Sequence, residues 1–170
     1  SPPCPYRGLF AFQEADAPYF FGRERFTRQL AQLAQVQSLV AVVGPSGSGK
    51  SSLVFAGLLP QMRQQDDWLI MTFRPGSNPF QGLGAALLPH LDPELSETDH
   101  LVETRKLTQS LSVGTLPLAD VVDRIIKKGT NYRRILLVAD QFEELYTLCT
   151  EPDIRYHFLD ILLDIISLQP

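Results

Sequence analysis

The run Gly44-Pro45-Ser46-Gly47-Ser48-Gly49-Lys50-Ser51-Ser52 constrains the fold more than any other part of the chain. It satisfies the spacing G-x-x-x-x-G-K-[ST], with Gly44, Gly49, Lys50 and Ser51 in the four fixed places. Such a loop works in one local context, with a strand entering it and a helix leaving it. Ser38-Leu39-Val40-Ala41-Val42-Val43 is apolar and β-branched and is read as the entering strand, and residues 51–59 are helix-compatible. Binding a triphosphate requires several N–H donors converging on its oxygens, with glycine wherever a side chain would collide, which is the part given to Gly44, Gly47 and Gly49. In that arrangement Lys50 reaches the β- and γ-phosphates, the Ser51 hydroxyl ligates Mg2+, and the helix N-terminus adds its partial positive charge. A plain glycine-serine turn before a helix is the bland alternative.

A second run, Arg134-Ile135-Leu136-Leu137-Val138-Ala139-Asp140, reads as a buried strand ending in an acid, followed by Gln141-Phe142-Glu143-Glu144-Leu145. A carboxylate at the carboxyl edge of an open α/β sheet stands where such sheets bind ligands, and there Asp140 can hold Mg2+ through water. Glu143 and Glu144 follow within one turn. Either can polarise a water that attacks the γ-phosphate, or both simply begin a helix, where acids are favourable.

Composition fits one soluble α/β domain: 170 residues, 44% hydrophobic, net charge −4 and pI near 5.3. The acidic balance gives no reason to expect nucleic-acid binding. No apolar run approaches the length of a membrane span, and the N-terminus has no basic region and apolar core of a signal peptide. Cys4 and Cys149 are far apart and share no zinc spacing with His90, His100 or His157, so a reducing cytoplasm is expected.

The segment up to Gly22 is rich in proline and aromatics and is expected to pack on the nucleotide domain, taken as residues 23–170. The spacing predicts a helix over Arg23–Gln35, a strand over Trp68–Phe73, and helices over Phe80–Leu91 and Leu118–Lys128, the last capped by Gly129. The stretch from Pro93 to Gly114 is polar, with weaker helical periodicity. Ile154, Phe158, Ile161, Leu162 and Ile165 mark a final amphipathic helix, and its Phe158 and Ile161 stripe is core packing or an oligomer surface. Arg74 faces phosphates or a partner, or sits solvated in its turn. Arg124, Lys127, Lys128, Arg133 and Arg134 either complement a helix C-terminus or touch an acidic or nucleic-acid surface.

Taken together, Cys4-Pro5-Tyr6-Arg7-Gly8-Leu9, Tyr19-Phe20-Phe21-Gly22-Arg23-Glu24, the loop at Gly44, Phe73-Arg74-Pro75-Gly76 and Asp140-Gln141-Phe142-Glu143-Glu144-Leu145 resemble the novel STAND NTPases. The resemblance spans almost the whole chain. It implies a P-loop NTPase three-layer sandwich of ASCE or AAA-like type with a mostly parallel sheet. It also implies ATP or ADP with Mg2+ as ligands, Phe21, Gly22 and Arg23 against the adenine, Lys50 and Ser51 on phosphate and metal, Asp140 on Mg2+, and Glu143 or Glu144 beside the water. Members of that group are signal-transducing ATPases fused to WD-repeat or TPR sensors, and they oligomerise when ATP replaces ADP. In related ATPases the strand after the Walker B helix lies between the Walker A and Walker B strands. The chain is therefore expected to be a piece of a larger protein, with the Val40 and Leu137 strands separated or irregularly paired.

Rival readings differ by missing parts. Neither the Asn-Lys-x-Asp of a GTPase nor the Leu-Ser-Gly-Gly-Gln of an ABC ATPase occurs. A small-molecule P-loop kinase and a non-hydrolysing nucleotide-binding scaffold remain as alternatives to the regulatory ATPase.

Overall fold

The computed structural model describes residues 10–167. The chain divides into two compact units, one running to Trp68 and the other beginning at Leu69. The motifs Cys4 to Leu9 lie outside the described residues.

In the first unit a 3-10 helix at Glu14–Tyr19 precedes α1 (Glu24–Val36). A continuous helix then runs over residues 50–63, made of α2 (Lys50–Ser52), a π-helical turn at Leu53–Leu58 and α3 (Leu59–Arg63). Pro60 explains the π turn. Proline has no N–H to give and its ring would strike the carbonyl four residues earlier, so the preceding turn widens. The Leu59 N–H accordingly bonds the Val54 carbonyl, five residues back. Leu30, Ala31, Ala56, Leu58, Leu59 and Met62 are buried and form the core of this unit. Residues preceding α1 are tied to the long helix: the Phe12 N–H donates to Ser52 Oγ at 3.0 Å, and Arg63 donates to both Glu14 carboxylate oxygens at 2.6 and 3.1 Å. The Glu14 carboxylate also pushes the Arg63 guanidinium pKa further up.

The strand expected over Ser38–Val43 does not form. A strand is stable only when its N–H and C=O groups meet a neighbour, and β propensity cannot replace that neighbour. The segment runs without regular structure, with Leu39 63% and Val43 89% exposed. With no strand formed there, no ladder joins the segment to Leu137 among the described residues.

The second unit comprises β1 (Trp68–Phe73), α4 (Pro79–Leu91), α5 (Glu97–Ser112), α6 (Leu118–Lys128), β2 (Arg134–Ala139), α7 (Glu144–Thr147) and α8 (Pro152–Ser167). The Asn78 side chain caps α4, with Pro79 at its first position, and Ser96 Oγ accepts the Asp99 N–H to cap α5. The polar stretch from Pro93 therefore holds a full helix. Its periodicity is weak because only Leu107 and Leu111 are buried.

β1 and β2 form a two-stranded sheet, and the Asp140 N–H donates to the Phe73 carbonyl at 2.9 Å. The carboxyl ends of the two strands thus lie side by side, so the pair is parallel and α4 to α6 make the crossover that parallel strands require. Helices joined to a parallel strand pair make the chain α/β. Phe158 of α8 is fully buried between two rings, edge-on to Phe73 at 6.1 Å and to Phe80 at 5.3 Å between centroids. The Phe158 side of α8 therefore packs into the core of this unit.

Candidate functional site

The phosphate loop belongs to the first unit. Gly47 and Gly49 adopt φ of +76° and +83°, a left-handed conformation in which other residues are strained, and a Cβ on either would meet no atom within 4 Å. The Ser48 N–H closes a turn on the Pro45 carbonyl at 3.2 Å. Lys50 is folded back over the loop, its Nζ donating to the carbonyls of Gly44 at 2.8 Å and Pro45 at 3.0 Å. An ammonium has three donors, so one remains for an incoming oxygen. Among the described residues, the N–H groups of Ser46, Gly47, Gly49 and Lys50 donate to no backbone carbonyl. Unspent amides, a lysine poised over them and a helix running from Lys50 form a donor set that fits a phosphate. Ser51 stands in the first helical turn, while the buried Ser52 has its hydroxyl on the Phe12 amide.

Phe21, Gly22 and Arg23 form the turn into α1. Gly22 has φ +83° and donates its N–H to Glu24 Oε1 at 2.9 Å. That bond, together with the Glu24 N–H, holds the Glu24 carboxyl below its usual range. Phe21 is 76% exposed, and the Arg23 guanidinium lies over the Phe26 ring, 5.9 Å from its centroid.

In the second unit the acidic turn follows β2. Asp140 receives two hydrogen bonds from Arg74 at the end of β1, Nε at 3.1 Å and Nη2 at 2.9 Å, both on Oδ2. Its side chain is only 9% exposed, whereas that of Arg74 is 57% exposed. Gln141 next to it has φ +51°. The two glutamates have different surroundings. Glu144 is half-buried and its Oε2 accepts the Gly76 N–H at 3.2 Å, whereas Glu143 is exposed and its carboxylate has no hydrogen bond or ion pair among the described residues. Sequence reasoning had kept three places open for Arg74 and missed this one, because its partner lies 66 positions away.

No group of three or more His, Cys, Asp and Glu that could hold a metal occurs among the described residues. Among the described residues, Asp140 is thus no part of a metal cage built by the protein alone. It fits a magnesium ion that arrives with phosphates and needs one or two carboxylates from the protein.

Lys127, Lys128 and Cys149 have structural partners. Lys128 donates to the Leu91 carbonyl at the end of α4, and Lys127 pairs with Asp123. Cys149 is buried, with its thiol near the Glu151 carbonyl. No helix among the described residues is long and apolar enough to cross a membrane.

No curated protein and no solved structure matches the chain. The family described as Novel STAND NTPase 1 does match, over residues 5–169, a stretch that includes the phosphate loop, the Arg74 turn and the acidic turn. The chain belongs to the novel STAND NTPase family and is a nucleotide-binding module of that type.

Proposed function

We propose that this chain is the ATP-binding and ATP-hydrolysing core of a STAND-type signalling switch, in which the bound nucleotide controls oligomerisation. The observation that carries the reading is the loop at Gly44 to Lys50, with its unspent amides and a lysine folded over them. Gly44, Pro45, Ser46, Gly47, Ser48, Gly49, Lys50, Ser51 and Ser52 hold the phosphates. Phe21, Gly22 and Arg23 hold the adenine; Ser51 is assigned as a Mg2+ ligand, and so, on its own, is Asp140. When bound, the metal neutralises phosphate charge. Of the two glutamates, Glu143 is assigned to the attacking water, since its carboxylate is exposed and uncommitted, whereas Glu144 is spent on the Gly76 amide. The proposal further includes a three-layer P-loop sandwich, sensor repeats C-terminal to this module, and a cytoplasmic location.

A non-hydrolysing scaffold is the second reading, favoured by the Arg74 guanidinium that covers Asp140. Calorimetry with ATP, ADP and GTP, with and without Mg2+, on the chain and its Lys50→Ala variant tests binding. Adenine-selective affinity lost in the variant is expected, and no binding by the folded chain refutes the switch. Glu143→Gln is expected to abolish turnover while binding persists. Unchanged turnover in Glu143→Gln with loss in Glu144→Gln would reverse the assignment, and no turnover in any form supports the scaffold.

A further inference from the structure

We propose that Arg74 is a displaceable latch on Asp140, standing in for the divalent cation and leaving when the cation binds. The inference rests on the reading of Asp140 as a magnesium ligand. A carboxylate on a side chain that is 9% exposed needs a counter-charge, and the Arg74 guanidinium supplies it through two N–H groups on one oxygen. A metal ion at Asp140 replaces one positive charge with another, so the carboxylate is never left alone. The two cations compete for that oxygen and repel each other, so they do not share it.

The surroundings of Arg74 let its side chain leave without moving its backbone. Pro75 is fully buried, and the Gly76 N–H is bonded to Glu144. Gly82 of α4 packs so close that an added Cβ would collide with the Arg74 carbonyl oxygen. The main chain is clamped at these three points. The Arg74 side chain is 57% exposed, so its guanidinium exchanges the carboxylate for water at small cost. The latch sets a threshold: metal binds Asp140 only by doing the work of displacing Arg74.

Manganese is titrated into the full chain at saturating ADP, with free Mn2+ read by electron paramagnetic resonance, for the wild type, Arg74→Ala, Arg74→Lys and Asp140→Asn. Arg74→Ala is expected to tighten Mn2+ binding by about three- to tenfold, the scale of a partly exposed charge-assisted pair. Arg74→Lys, which keeps the charge but cannot lay two N–H groups side by side, is expected to fall between it and the wild type. In the unsubstituted protein, the Arg74 Nε–H resonance is expected to shift when Mg2+ is added to the ADP complex. That readout decides the matter if Arg74→Ala does not fold. Unchanged or weaker affinity in Arg74→Ala, with weakened affinity in Asp140→Asn, overturns the latch and leaves the Asp140 reading intact. An Asp140→Asn variant that binds Mn2+ like the wild type, or a wild type that binds none, overturns both.

Discussion

The phosphate loop puts glycine at both of its left-handed positions, Gly47 and Gly49, whereas the acidic turn puts a glutamine, Gln141, at its own. The loop is relaxed by composition and shaped by its own backbone, with Lys50 resting on carbonyls five and six residues away. The acidic turn is held from outside, by Arg74 on Asp140 and by Glu144 on Gly76, and these contacts maintain a backbone that Gln141 does not favour. One site is therefore local and open, and the other is braced and partly spent. Strain that persists at a residue adjoining a candidate metal ligand is a familiar mark of a functional turn.

The largest effect is expected where the braced turn is rooted. Phe158→Ala removes a fully buried ring from between Phe73 and Phe80, and chemical denaturation is expected to show a loss of about 3–5 kcal/mol. A loss below about 1 kcal/mol would mean that the turn does not depend on this core. Next comes Gly82→Ala, whose methyl must push the Arg74 carbonyl aside, at about 1–3 kcal/mol by the same measurement. Alanine accepted there without loss would remove one of the three clamps beneath Arg74.

The comparison itself is tested by a pair of changes of opposite sign. Gly49→Ala forces a side chain into the left-handed region and is expected to cost about 1–2 kcal/mol, whereas Gln141→Gly relieves that region and is expected to gain about 1 kcal/mol. A loss in both variants, read by thermal or denaturant unfolding, would show that Gln141 is no more strained than the glycine loop. The smallest effect is a pH dependence confined to the second unit. Burial holds the His90 imidazole below its ordinary 6.5, so the unfolded chain takes up the proton more readily than the folded one. The His90 contribution is then constant above that value, and stability falls as pH drops through it until the folded form also protonates. His90→Gln is expected to flatten this slope in unfolding curves recorded across that range, and an unchanged slope would assign it to other groups.

Legibility followed the range of the interactions. The phosphate loop, the helix after it, the capped helix at Pro79 and the helix from Leu118 to its Gly129 terminus depend on neighbours within a few positions, so spacing, proline and glycine disclose them. The strand expected at Ser38–Val43 fails because a strand is a property of two segments, and only one of them is visible in a periodicity. Arg74 and Glu144 find their partners 66 and 68 positions away, so the sequence could mark them as candidates without saying which atoms they touch. The distinction between Glu143 and Glu144 comes from the same source. α5 was obscured for a different reason: two buried leucines in a helix of sixteen residues leave little apolar rhythm to detect.

The π turn at Leu53–Leu58 also sets an angle. It lies between the residues that present chemistry, Lys50 and Ser51, and those that anchor the helix in the core, Leu59 and Met62. Each residue of a helix advances the next by about 100°, so deleting one residue within that turn would rotate the lysine end by about that amount relative to the anchors. The aim of the loop is thus calibrated downstream, like a vernier, by a proline that touches no phosphate. A family member lacking the equivalent of Pro60 would need a different spacing between loop and core to point its lysine the same way.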